Sequence, residues 1–92
     1  MRITFDTVKN ERNIAERGLP FELVAELAWE TAIAREDVRQ DYGERRVRVL
    51  AHLGNRLHMA VVTYRDGAVH VISFRKANKR EERAYENATT DR

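Results

Sequence analysis

Residues 45–76 read RRVRVLAHL-GN-RLHMAVVTYR-DG-AVHVISFRK, three β-rich runs joined by the two-residue connections Gly54-Asn55 and Asp66-Gly67. Connections of this kind between alternating runs specify β-hairpins, so the stretch predicts an antiparallel three-stranded meander. The turns also set the register. Asp66-Gly67 as a loop pairs Arg65 with Ala68, Val62 with Val71 and His58 with Arg75. Gly54-Asn55 as a loop pairs Leu53 with Arg56, Val49 with Ala60 and Arg45 with Tyr64.

Strand alternation then divides the side chains into two faces. Leu50, Leu57, Met59, Val61, Ile72 and Phe74 form the bulkier one, where helices are expected to pack. Val47, Val49, Ala51, Ala60, Val62, Val69, Val71 and Ser73 form the smaller one. Arg45, Tyr64, Arg56, His58 and Arg75 rim that second face, a shallow floor suited to a phosphate backbone.

Outward from the meander, Arg2–Phe5 reads as a short strand. Asp6 caps a helix from Thr7, and Gly18 ends it in the left-handed conformation. That helix is polar, with Val8, Ile14 and Ala15 as its thin apolar side. Pro20 opens a second helix whose stripe is Phe21, Val24, Ala25 and Ala28. Residues 30–39 read as a charged edge strand and QDYGE as a turn. Beyond Lys76, Asn78 caps a last helix, with Glu81 placed for a capping box and Tyr85 turned toward the sheet. The closing TTDR is expected to fray. The expected fold is α+β: an antiparallel sheet of four to five strands, two N-terminal helices on one face and a C-terminal helix, in a single domain over residues 1–92.

The chain has 17 Lys+Arg against 15 Asp+Glu and a net charge of +2. Lys9, Lys76 and Lys79 are its only lysines. Arginine in such excess favours planar, bidentate recognition of phosphate or carboxylate. Cysteine is absent, which removes disulfides and thiolate metal sites and suits a reducing cytoplasm. No run approaches the roughly 18 apolar residues of a membrane span, and the opening MRITF reads as a strand rather than a leader.

His52, His58 and His70 stand apart without metal-ligand spacing, so no metal or other cofactor is expected. No glycine-rich phosphate loop or Ser-His-Asp spacing occurs. Arginine, lysine, histidine and tyrosine around one sheet can still cleave RNA, because the substrate's own 2′-OH is the nucleophile. The protein then orients the phosphate, stabilises its charge and moves protons, for which His58 and Tyr85 are the available groups. The same residues also fit a solvated, salt-bridged surface.

FDTVKNERNIAERGLPF, YGERR and RLHMAVVTYRDGAVHVISFRKANKREERAYE together resemble the BrnT family of type II toxin–antitoxin toxins, in the wider RelE/ParE-like group. The shared elements are Asn13-x-x-x-Arg17-Gly18-x-x-Phe21, Tyr42-Gly43-Glu44 with Arg46, and Ile72-Ser73-x-Arg75-Lys76-Ala77 followed by Glu82-Arg83 and Tyr85. The resemblance implies a RelE-like domain and a ribonuclease that halts translation. It also implies an antitoxin with a ribbon-helix-helix DNA-binding part, in a heterotetramer that meets operator DNA only through the antitoxin. Arg56, Arg75 and Tyr85 occupy positions matching basic and tyrosine positions of related toxins. With them, His58 and Arg17 complete the expected catalytic set, and Arg45, Arg46, Lys76 and Arg83 would track RNA.

The chain departs from the family where Lys-His-Gly is usual and Glu16-Arg17-Gly18 stands instead. Thr7 also replaces an aromatic residue. Arginine is no base at neutral pH, so either Arg17 only binds phosphate or activity is reduced. A degenerate relative kept for binding or operon control, and a ParE-like gyrase inhibitor, are the alternatives.

Overall fold

A computed structural model describes residues 1–90. Five strands form one sheet in the order β1-β5-β4-β3-β2. They are β1 (Ile3–Phe5), β2 (Ile33–Glu36), β3 (Val47–Leu53), β4 (Arg56–Arg65) and β5 (Ala68–Lys76). Helix α1 (Thr7–Arg17) follows β1 and α2 (Lys79–Thr90) follows β5.

The meander forms as its turns require. Asp66 and Gly67 both take positive φ, 50° and 75°, as a tight hairpin of this twist demands. Arg65 pairs Ala68, Val62 pairs Val71, Leu53 pairs Arg56 and Val49 pairs Ala60. The expected pairing of His58 with Arg75 does not form. A bulge between Val61 and Val62 leaves Ile72 without an opposite number, so His58 meets Lys76 and Met59 meets Arg75. One extra residue reverses every side chain beyond it.

The expected packing is corrected as well. The core lies on the small face: Val49, Ala51, Ala60, Val62, Val69 and Val71, joined by Phe74, which the bulge turns inward. Small side chains let Phe21, Val24 and Leu27 approach the sheet closely. Helix α2 takes the opposite face, where Leu57 and Met59 become buried.

The sheet is mixed rather than antiparallel. β1 pairs β5 in parallel, Ile3 with Val69 and Phe5 with Val71. No turn dictates the direction of this first strand, and the edge of β5 receives it. Helix α1 then runs on beside the remainder of that edge. Asp6 caps it through Lys9 N at 3.0 Å, and Gly18 closes it at φ 68°. Its buried side is Asn10 and Asn13, whereas Val8 and Ile14 are exposed, the reverse of the expected apolar stripe. Asn13 donates to the carbonyls of Leu19 and Phe74, and Asn10 accepts from Phe21 N at 2.8 Å. Backbone groups that no strand pairs are thus satisfied by amides.

The second N-terminal helix is likewise replaced. Residues Phe21–Glu26 and Trp29–Thr31 form short 3-10 segments. The buried positions Phe21 and Val24, with Leu27 closing the first segment, recur every three residues. That spacing eclipses in a 3-10 turn and drifts apart in an α-helix. At the other end Asn78 and Glu81 form a reciprocal capping box at 2.8 and 2.9 Å. Thr89 and Thr90 are helical, and the rest of the expected fraying segment lies outside the described residues. Among the described residues no helix is long and apolar enough to cross a membrane.

Candidate functional site

Helix α2 crosses the sheet face opposite the core, and its first turn brings Glu81 onto that face. The Glu81 side chain is 9% exposed. It accepts from Arg75 Nη1 at 2.8 Å and Nη2 at 2.9 Å, and Arg48 Nη2 lies 3.8 Å away. A carboxylate so buried needs paired charge and hydrogen bonds to remain ionised. The Arg75 bonds, working against burial, hold the Glu81 carboxyl below its ordinary value. Arg75 is raised by the same bonds, opposed by partial burial and by the positive charge of Arg39.

One glutamate therefore bonds Arg75 of β5 and attracts Arg48 of β3 by charge alone, and each arginine keeps 37% of its side chain in solvent. Across the sheet edge, Arg35 on β2 stands directly opposite Arg48. Arg35 forms no ion pair among the described residues. Arg35, Arg48, Arg80 and Glu81 wall a groove of about 210 Å³ whose floor is Ile33, Leu50, Met59 and Ala84. Positive charge exceeds negative there, over an apolar base.

The loop between β2 and β3 is tied down beside it. Asp37 accepts from Arg39 Nε at 2.8 Å and Nη2 at 2.7 Å and from the Tyr42 hydroxyl at 3.1 Å. These bonds, with Arg39 foremost, hold the Asp37 carboxyl well below the usual range. Arg46 stacks over the Tyr42 ring at 4.1 Å and donates to Glu44, which also takes Arg65. The Tyr42-Gly43-Glu44 element and Arg46 thus build the loop. Arg45 pairs Glu36 at 3.4 Å with 75% of its side chain exposed.

The other expected residues fall into two further places. Arg17, Arg75 and Lys76 line a depression of about 380 Å³ with Glu16 and Leu19. Arg17 Nη1 donates to Asn13 Oδ1 at 3.2 Å. On the far flank of α2, Arg56 and Tyr85 share a cleft of about 490 Å³ with His52, Asn55, Glu82 and Glu86. Arg56 donates to the Ala77 carbonyl at 2.8 Å and stands 3.6 Å from Glu82. The Tyr85 hydroxyl donates to the Thr31 carbonyl at 2.9 Å, and its ring meets His52 edge-on. Arg83 is exposed on α2.

Arg56 and Arg75 are therefore held apart, each beside its own glutamate of α2. His58 is 3% exposed, with its ring 5.3 Å from Phe74, and burial pushes its pKa down. Arg35, Arg48 and Glu81 are groups that reading the sequence left out of the site. Strand parity was the available signal, since Arg48 shares a face with Leu50. Among the described residues no three His, Asp or Glu side chains gather as metal ligands.

The fold and groove define a small α+β domain with an arginine-walled groove on one sheet face. The family profile for "Ribonuclease toxin, BrnT, of type II toxin-antitoxin system" matches residues 5–81. The chain belongs to this BrnT family, whose members are ribonuclease toxins and whose modules supply an antitoxin protein. A comparison with curated proteins finds no match.

Proposed function

We propose that this chain is a metal-independent endoribonuclease toxin that arrests translation, and that it grips RNA at the Arg35–Arg48–Arg80 groove, beside which Glu81 holds Arg75. The observation that carries this reading is the pairing of Arg35 with Arg48. Like charges directly opposite in a sheet cost stability, and a phosphate between them turns repulsion into attraction. Arg48 and Arg75 direct their solvent-facing edges at the scissile phosphate while Glu81 holds Arg75 from behind and lies 3.8 Å from Arg48. The ribose 2′-OH gives its proton to solvent water as it attacks in line, the 5′-oxygen leaves and takes a proton from water, and a 2′,3′-cyclic phosphate remains. The protein's part is orientation and charge stabilisation. Arg17 and Lys76 extend the basic track, and Arg56, with Tyr85, holds the strand on the far flank of α2. His58 takes no part in this scheme, because its ring is enclosed by the core.

An antitoxin carrying a ribbon-helix-helix part would neutralise the toxin in a heterotetramer and alone contact operator DNA. An acidic antitoxin segment over the groove would block RNA directly. The test is purified protein on a defined RNA, with and without chelator, followed by analysis of the product ends. Cyclic phosphate ends that survive chelation support the reading, and cleavage abolished by chelator refutes metal independence.

A second reading rests on one observation: both Nη atoms of Arg75 are already bonded to Glu81. With Arg17 in the usual histidine position, this fits a chain that binds RNA or antitoxin without cutting. A harmless protein on unpartnered expression would favour it.

A further inference from the structure

Glu81 does two separable things. Its Oε1 accepts the Asn78 N–H at 2.9 Å, closing the helix cap. Both of its oxygens also take Arg75, with Arg48 at 3.8 Å from Oε2. The cap requires only an acceptor at this position, which Gln supplies as well as Glu. Holding Arg75 bidentately requires both oxygens, and attracting Arg48 requires the charge. Arg48 and Arg75 come from strands on either side of β4, and no other carboxylate among the described residues lies within ion-pair distance of either.

We propose that Glu81 is a positioning residue for RNA cleavage: its buried carboxylate fixes Arg75 by two hydrogen bonds and draws Arg48 beside it by charge, so that their outer edges match a single phosphate. This rests on the phosphate-clamp reading given above. An arginine without such an anchor still attracts phosphate but samples many rotamers, and small misplacements cost about 100-fold in rate. Removing the anchor thus separates affinity from turnover. Glu81→Gln leaves the groove one charge more positive, so RNA binds at least as tightly, while kcat falls.

The experiment compares wild type, Glu81→Gln and Asn78→Ala as full chains on one defined RNA. Thermal melts confirm folding, and the Arg75 guanidinium protons are followed by NMR. Glu81→Gln is expected to lower kcat on the order of 100-fold with KM unchanged or reduced. Its binding should fall more steeply with salt. Asn78→Ala, which loses only the cap acceptor at Glu81 N, should keep kcat within a few fold. Wild-type or raised kcat in Glu81→Gln overturns the inference, the latter marking Glu81 as a competitor of phosphate. Equal loss of kcat in Asn78→Ala also overturns it, since a structural role would then suffice. Should wild type bind RNA without cutting it, the enzyme reading falls and the NMR decides. Slowly exchanging Arg75 protons that vanish in Glu81→Gln uphold the anchor, and their persistence removes it.

Discussion

The side-chain amide of Asn13 on α1 donates 3.0 Å to the carbonyl of Phe74 on β5, 61 residues along the chain. The same nitrogen donates 2.8 Å to Leu19. β1 covers only part of the β5 edge, and this amide closes the next open position. It also explains the Asn13-to-Phe21 element, in which Asn13 holds the sheet edge and the turn after Gly18 together.

Asn13→Ala should therefore destabilise the fold by about 2 kcal/mol, because two buried carbonyls lose a donor. Urea unfolding would show a lower midpoint at unchanged slope. A loss within ~0.5 kcal/mol would mean that water replaces the amide.

Arg35→Gln separates stability from function. It removes the like-charge pair with Arg48, so stability should hold or rise by about 0.5 kcal/mol. RNA affinity should fall, and the salt dependence of binding should drop by about 0.7 in slope. Titrations at several salt concentrations check this, and an unchanged slope would place RNA elsewhere.

Arg48→Ala should cost cleavage about 100-fold, equivalent to about 3 kcal/mol of transition-state stabilisation. The measurement is single-turnover cleavage by a variant that melts cooperatively. Undiminished cleavage would detach the arginine groove from the chemistry.

His58 predicts a pH dependence of stability. Its folded-state pKa is depressed by burial, so the unfolded chain binds the proton more readily. Its contribution is complete above its unfolded value, ordinarily near ~6.5, and is lost as pH falls from there through the folded pKa. Denaturant unfolding between pH 7 and pH 5 should show declining stability, and a His58→Leu variant should flatten that decline. A folded His58→Leu protein should still cut RNA, since the imidazole is enclosed.

Much of the chain's local order was legible because it follows from neighbouring residues. Asp6 and Gly18 bound α1, Asn78 and Glu81 cap α2, and Asp66-Gly67 sets the tight turn between β4 and β5. Each acts within a few bonds of its own backbone, so composition suffices. The stripe Phe21, Val24, Ala25 and Ala28 invited an α-helix, whereas the structure buries Phe21, Val24 and Leu27 along 3-10 turns.

The site was less legible because it depends on which side of a strand each arginine faces. By itself the sequence determined the hairpins, the helix ends and the family membership of residues 5–81. Only the tertiary structure decided the parallel seating of β1, the sheet face that takes the core and the partner of Arg75. For Arg75 the physical reason is the two-residue period of a strand: the single unpaired Ile72 reverses every side chain after it. Arg75 thereby faces Met59, Arg48 and Glu81, and no local preference of the chain encodes that choice.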